Sequence, residues 1–262
     1  MEELGILSQI KTNVLLRHFE PITLEEMKEF ALQDRSETKF VMNTATFFEI
    51  LMELSENYRV LEIGRKRKNA YQTLYFDSTD MEMYRNHHNG LLNRYKIRIR
   101  EYLETSHCFF EIKFKDNKRK TIKKRISTQL VPLHINQKIH EFISENSRIM
   151  PDTLVPVLWN RYDRITMVSK NNIERVTFDM NLEFSDFHRE KSAALPGIII
   201  AEVKQKAFSN KSDLVKLMHK LSVPNEGFSK YCIGVASLFP DVKKNNFKRK
   251  LMLVNKLSGS IC

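Results

Sequence analysis

The chain has 262 residues, of which 42% are hydrophobic and 10% aromatic. That supports one generous core or two small ones and excludes a disordered or low-complexity chain. Lys and Arg number 43 against 32 Asp and Glu, a formal charge of +11, so the partners to look for are acidic: nucleic acid, an anionic membrane surface or phosphorylated small molecules.

Residues 1–33 read as helical. Within them, 21–33 carries Leu24, Met27 and Phe30 at helical spacing behind a Thr23-x-x-Glu26 capping pattern. Residues 35–42 read as a strand and 44–58 as a helix with Phe47, Phe48, Leu51 and Leu54 inward. A strand at 71–76 runs into Asp77-Ser78-Thr79-Asp80, a helix-start signal, with a short helix through Tyr84 and a turn at Asn89-Gly90. Strands are expected at 91–102, 107–115 and 119–128, with a hairpin-like turn at Lys115-Asp116-Asn117-Lys118. A helix at 135–148 precedes strands at 154–168, 173–184 and 197–206. Residues 212–221 form a helix capped by Ser212 or Ser209. Residues 241–262, with Lys243, Lys244, Lys248, Arg249 and Lys250, are expected as a basic tail or last helix with a solvated face. The sum is α+β, with many antiparallel strands and helices outside.

Several of these strands carry charge on every second residue. Tyr95-Lys96-Ile97-Arg98-Ile99-Arg100-Glu101-Tyr102 and Phe110-Glu111-Ile112-Lys113-Phe114-Lys115 alternate charged and apolar residues. Arg35-Ser36-Glu37-Thr38-Lys39, Arg175-Val176-Thr177-Phe178-Asp179 and Ile200-Ala201-Glu202-Val203-Lys204 repeat the pattern. Strand side chains alternate faces, so each segment puts its charges on one side. One such segment is an ordinary wet sheet face. Five of them, built from residues that disfavour strands, ask for a reason. If the sheet curls, they line one cationic cavity. Two like charges ~6 Å apart repel by roughly 3 kcal/mol at an effective dielectric near 20, and a bound polyanion with a divalent metal relieves that repulsion.

Other signals are weak. Cys108, Cys232 and Cys262 have no metal spacing and read as reduced thiols of a cytoplasmic protein, the first two in the core. There is no apolar leader, no stretch long enough to span a membrane and no prenylation pattern. His87-His88 reads as part of a solvated turn. No phosphate-binding glycine loop, Ser/His/Asp order or CxxC pair is present.

The ordered set of motifs resembles the polyphosphate polymerase domain of the vacuolar transporter chaperone (VTC) group, within the triphosphate tunnel metalloenzymes. It comprises Arg35-x-Glu37-x-Lys39-Phe40, Tyr75-Phe76-Asp77 with Tyr84, Lys96 to Tyr102, Phe110 to Lys113, and Lys123-Lys124-Arg125. It continues with Tyr162-Asp163-Arg164, Arg175 to Asp179, Ala201 to Lys204 and Phe228-Ser229-Lys230-Tyr231. The resemblance implies an antiparallel β-barrel, open at both ends, with helices packed outside and a triphosphate held inside. It implies a helical segment at 1–34, the tunnel domain at 35–240 and the basic C-terminal segment at 241–262.

Carried over residue by residue, Lys39, Arg98, Arg100, Lys113, Lys124 (or in its place Lys123 or Arg125), Arg164, Arg175 and Lys230 cradle phosphates, and Ser229 adds a hydroxyl. Glu202 is the expected ligand of a divalent metal, Mn2+ or Mg2+, with Glu37 and Glu111 as further candidates that can instead pair with neighbouring cations. Asp179 is expected to orient Arg175 or a metal-bound water. The chain departs from the pattern at Arg35, where many tunnel enzymes carry Glu, and at Gly227, where polymerase relatives can carry a basic residue. It shows no N-terminal phosphate-sensing domain and no anchor, so the resemblance implies a domain that stands alone or docks to a partner.

The leading expectation is an ATP-dependent polyphosphate polymerase. A metal-dependent tri- or polyphosphatase and a non-catalytic polyphosphate or nucleotide sensor are the alternatives. A nucleic-acid binder is weaker, because the apolar positions between the charges read as buried rather than as stacking platforms.

Overall fold

A computed structural model describes residues 2–30, 36–118, 120–129, 131–206, 209 and 211–259. Helix α1 (Glu2–Leu16) leads to β1 (Glu20–Ile22) and a 3-10 turn at Glu26–Phe30. β2 (Ser36–Asn43) passes directly into α2 (Thr44–Leu54), where the Asn43 side chain accepts the Thr46 N–H at 3.0 Å. Then come β3 (Tyr58–Leu61), β4 (Asn69–Ser78) and α3 (Glu82–His88). β5 (Arg94–Tyr102), β6 (His107–Lys115) and β7 (Thr121–Thr128) form a meander ahead of α4 (Gln137–Asn146). β8 (Leu154–Ser169), β9 (Glu174–Asp186), β10 (Ser192–Leu195) and β11 (Ile198–Gln205) follow. The chain continues through α5 (Asp213–Lys220), α6 (Lys230–Leu238) and α7 (Lys248–Leu257).

Eight strands lie in the order β2-β11-β9-β8-β4-β5-β6-β7, with β10 on β9, and β3 linking β8 to β1. All neighbours on the main path are antiparallel. β2 and β7 end the path and are not hydrogen-bonded to each other among the described residues, so the barrel is open along that seam.

Alternation sorts the sheet into two faces. Outward residues of β2, β8, β9 and β11, such as Phe40, Ile165, Phe178 and Ala201, pack beneath α2 and α5. Outward Ile97, Ile99, Phe110 and Ile112 pack beneath Ile139 and Ile143 of α4. The third cluster is different: inward-facing Val41, Tyr75, Leu158, Tyr162 and Ile200 pack against Tyr231, Cys232 and Val235 of α6. Helix α6 therefore packs against the inner face of the curl, on residues of β2, β4, β8, β9 and β11. The many-stranded antiparallel sheet with packed helices is the tunnel-type α+β fold expected from the sequence, with α6 against its inner rather than its outer face.

Other expectations shift as well. Residues 21–30 form a strand and a 3-10 turn rather than an α-helix. The Thr23–Glu26 box nonetheless forms: the Glu26 carboxylate accepts the Thr23 N–H at 2.8 Å, and Thr23 Oγ1 accepts the Glu26 N–H at 3.3 Å. The helix after β2 stops at Leu54, and Tyr58 opens β3. Helix α3 runs to His88, and both histidines belong to it. His88 is 5% exposed, and its Nε2 accepts the Asn246 N–H at 3.2 Å. The basic segment after 240 is not a tail: Phe247 and Val254 are buried in the α6 cluster. Arg35 and Cys262 lie outside the described residues.

Candidate active site

The strand register sets the cations and carboxylates against one another on the inner face. Glu202 on β11 stands between Lys39 on β2 and Thr177 on β9, and Lys204 stands between Glu37 and Arg175. Arg164 on β8 is opposite Asp179. On the other wall, Arg98 is opposite Glu111, and Lys113 is opposite both Lys96 and Lys123.

Three inward carboxylates fix these cations. Asp179 accepts from Arg164 Nε at 2.5 Å and Nη2 at 2.8 Å, and it pairs with the Lys230 ammonium. Burial would raise its pKa, but Arg164 and Lys230 outweigh that and hold the carboxyl well below its usual range. Asp179 thus orients Arg164 and Lys230. Glu111, fully buried, accepts from Arg98 Nε at 2.7 Å and Nη2 at 2.6 Å and pairs with Lys123. Burial opposes its charge, yet Arg98, Arg100 and Lys123 hold it ionised. Arg98 and Lys123 thus make Glu111 a clamp for cations on this wall. Glu202 lies 3.4 Å from Lys39 and 2.7 Å from Lys204. Lys204, Lys39 and Lys113 outweigh burial and keep its pKa well below normal.

The lysines show the cost of crowding. Burial pushes Lys96 and Lys123 down to about 8. Lys113 falls well below its ordinary value through burial and then Arg98. Lys204 and Lys230 are lowered first by burial as well. Anionic phosphate oxygens would raise all five.

Deeper in, Tyr71 and Tyr162 stack with ring centroids 5.3 Å apart. Three cations face the Tyr162 ring: Arg100 at 5.9 Å, Arg164 at 5.4 Å and Lys230 at 4.5 Å. Arg100 Nε, Tyr162 OH, Thr73 Oγ1 and Thr177 Oγ1 are buried without a hydrogen-bond partner. Such groups are rare in a finished core, and a water, an ion or a polar ligand would satisfy them.

The start of α6 completes the site. Ser229 caps the helix, its Oγ accepting the Cys232 N–H at 3.3 Å and Lys96 Nζ at 3.1 Å. Lys39 donates to the Phe228 carbonyl at 3.3 Å. The first helical residue, Lys230, then reaches Asp179. The helix dipole adds positive potential at the same place. A cavity of about 930 Å³ joins Lys39, Lys96 and Lys113 to Ser229, and continues beneath β5, β6 and β7 past His87 of α3 and Lys250 of α7.

Of the residues expected from the sequence, Lys39, Arg98, Arg100, Lys113, Arg164, Arg175, Glu202, Ser229 and Lys230 converge on this inner face. Glu37 is there too, opposite Lys204. Lys124 is not: it pairs with Ile112, whose side chain is on the outer face, whereas Lys123 pairs with Lys113. The site also uses Lys96 and Lys204, each two residues from an expected cation or carboxylate on its strand, and Lys123, the alternative to Lys124. Tyr162, His87 and Lys250 carried no comparable signal.

As to a metal, no group of three or more His, Cys, Asp or Glu able to hold an ion occurs among the described residues. Glu202 and Glu37 are nevertheless hard oxygen donors on adjacent strands. One or two carboxylates completed by substrate phosphates is a usual arrangement for Mg2+, and the residues fit that arrangement.

Comparison with known proteins gives a family. The model of the VTC domain matches residues 34–239. No curated protein matches the chain in sequence. Among solved structures, a candidate adenylate cyclase from Vibrio parahaemolyticus superposes with a TM-score of 0.46 at 11% identity, covering 78% of this chain and 99% of that one. A candidate adenylyl cyclase from Hippeastrum, described as having a dominant triphosphatase activity, gives 0.42 at 14%, covering 78% and 96%. A conserved hypothetical protein from Pyrococcus furiosus gives 0.42 at 11%, covering 75% and 96%.

Proposed function

Because the chain belongs to the VTC domain family, a phosphoryl-handling tunnel domain, we propose that it is a polyphosphate polymerase. It would transfer the γ-phosphoryl of ATP to the end of a phosphate or polyphosphate chain and release ADP. The observation that carries this reading is the engagement of the inward carboxylates: Glu111, Asp179 and Glu202 are each held by two cations. None of these three is poised to take a proton from water. An acceptor phosphate needs no such base, since its oxygen is already ionised. Transfer then depends on position and charge neutralisation.

Arg98, Arg100 and Arg164 would bind equatorial oxygens of the transferred group, each held in a fixed direction by its strand. Lys39, Lys113 and Lys230 would neutralise the flanking phosphates, and Arg175 with Lys204 the phosphates beyond. Ser229, whose oxygen already accepts twice, retains its own proton to donate. Glu202, with Glu37, would hold a divalent cation, Mg2+ or Mn2+, which supplies charge neutralisation between adjacent phosphates. A cytosolic compartment, where ATP is supplied and thiols stay reduced, suits this chemistry.

The test is incubation of the protein with ATP and Mn2+, resolving products by gel electrophoresis and assaying ADP and free phosphate. Long anionic chains with equimolar ADP, lost in Glu202→Ala and Arg98→Ala, are expected. Free phosphate without chains would overturn transfer in favour of hydrolysis.

A further inference from the structure

The phosphate cradle leaves several residues of the ordered motifs without a role. Tyr75, Asp77, Tyr84 and Tyr231 stand in those motifs, yet none of them lines the cavity. They meet behind α6. Asp77, near the end of β4, is fully buried. Its Oδ1 accepts the N–H groups of Ser78 and Met83, each at 2.8 Å. Its Oδ2 accepts the Tyr84 N–H at 2.9 Å and the Tyr231 hydroxyl. Burial pushes this carboxyl up, and the hydrogen bonds from Tyr231, Met83, Tyr84 and Ser78 oppose that shift. Among the described residues no Lys or Arg pairs with it, whereas Glu111, Asp179 and Glu202 are each held by cations.

A buried carboxyl with no countercharge is expensive to keep, and what it holds on α6 gives it a use. Tyr231 is the second residue of α6 and directly follows Lys230. Lys230 reaches Asp179 on β9, with its Nζ 4.5 Å from the Tyr162 ring centroid. Tyr231 reaches Asp77 on β4 instead. Consecutive residues of a helix point about 100° apart. Two carboxyl groups on different strands thus grip neighbouring residues in different directions, which fixes the rotation of α6 about its own axis. The Tyr231 ring packs against Tyr75 at 5.1 Å and edge-on against Tyr84 at 6.5 Å, so its hydroxyl has one direction to take. The same turn begins at Ser229, whose Oγ caps α6 and accepts Lys96 Nζ.

We propose that Asp77, acting through Tyr231, is a positioning residue: it sets the rotation of α6 so that Lys230 and the Ser229 hydroxyl face the phosphates in the cradle. This rests on the reading of Lys230 and Ser229 as phosphate-binding groups, and adds to it a pair of residues that touch no phosphate. The ring of Tyr231 serves packing; its hydroxyl, seated on a buried carboxyl group, serves direction.

The experiment removes the hydroxyl and keeps the ring. Tyr231→Phe is compared with Tyr84→Phe, which removes a hydroxyl of the same cluster that donates away from α6, to the Lys243 carbonyl at 2.7 Å. Calorimetry of sodium tripolyphosphate with the full chain, well below its melting temperature, is expected to show about tenfold weaker binding for Tyr231→Phe and less than about twofold for Tyr84→Phe. In the Lys230→Ala background, Tyr231→Phe is expected to cost less than about threefold, because the cation it positions is gone. A loss in Tyr84→Phe equal to that in Tyr231→Phe, or the same Tyr231→Phe loss with and without Lys230, would overturn the positioning role and leave a structural one. A second arm needs no ligand. In protein labelled with 13C-lysine, the Cε signal of Lys230, identified by its disappearance in Lys230→Ala, is expected to move in Tyr231→Phe and in Asp77→Asn and to stay in place in Tyr84→Phe. An unmoved signal in Tyr231→Phe would overturn the proposal. A chain that fails to bind tripolyphosphate would end the cradle reading, and the Lys230 signal would still decide whether Asp77 and Tyr231 position it.

Discussion

At the residue scale, parity decides which charges matter. Lys123 and Lys124 are neighbours in sequence, yet Lys123 pairs with buried Glu111 and Lys124 is exposed on the outer face. Lys123→Ala leaves Glu111 short of a partner and is expected to lower both stability and triphosphate affinity, the latter by at least tenfold, while Lys124→Ala changes neither by more than about 0.5 kcal/mol. Thermal melting and calorimetry read both. The depressed lysines give a pH dependence with a definite sign. Free Lys96 and Lys123 sit at about 8, and phosphate raises them. Binding therefore takes up protons near pH 8, and affinity falls as pH rises above 8, until the bound-state values are passed. Titrations at pH 8 in buffers of different ionisation enthalpy should show uptake; proton release would contradict the assignment. The same residues show why parity was only partly used: the Lys123-Lys124-Arg125 run offers a cation on both faces, and nothing local says which face is inside.

At the scale of elements, α6 is the piece that turns a sheet into a site. Its residues from Tyr231 to Ala236 are buried on every side, so it has no amphipathic period, and the sequence offered Ser229 as its main signal. Gly234 faces Phe184 and Leu158, where an added Cβ would stand 2.6 Å and 2.7 Å from their side-chain atoms. Gly234→Val is expected to destabilise the protein by about 2–3 kcal/mol through overpacking, in spite of the glycine's poor helix propensity. Chemical denaturation measures this, and a neutral result would mean α6 can slide within the curl. Elements with strong local signals were legible: β6, α4 and α5 fall within two residues of expectation, each with clear periodicity or a cap. The helix expected at 21–33, of which 31–33 lie outside the described residues, is not formed over 21–30, because the capping box was read as the start of an α-helix. In the structure it closes a 3-10 turn pinned by Arg59 Nη2 on Glu26 at 2.7 Å.

At the scale of the whole molecule, the curl gathers cations from β2, β5, β6, β7, β8, β9 and β11 and from the start of α6 on one inner face. Triphosphate affinity is therefore expected to survive removal of divalent metal within about tenfold, since protein cations carry most of the neutralisation, whereas turnover with ATP should vanish. Chelation followed by calorimetry and a product gel separates the two. Binding itself should weaken steeply with ionic strength. No described helix is long and apolar enough to cross a membrane.

The amino-acid order alone determined the strand faces, because side chains alternate whatever the sheet does later, and with them Arg98, Arg100, Lys113 and Glu202 as inward groups. It also carried the ordered motifs that mark the family. Tertiary structure decided which carboxylate clamps which cation, since Asp179 meets Arg164 and Lys230 only when β8, β9 and α6 are brought together. It decided that α6 packs on the inner face and that Lys250, far away in sequence, lines the cavity. Those pairings depend on distances across the curl, and no local propensity encodes a distance between residues separated by most of the chain.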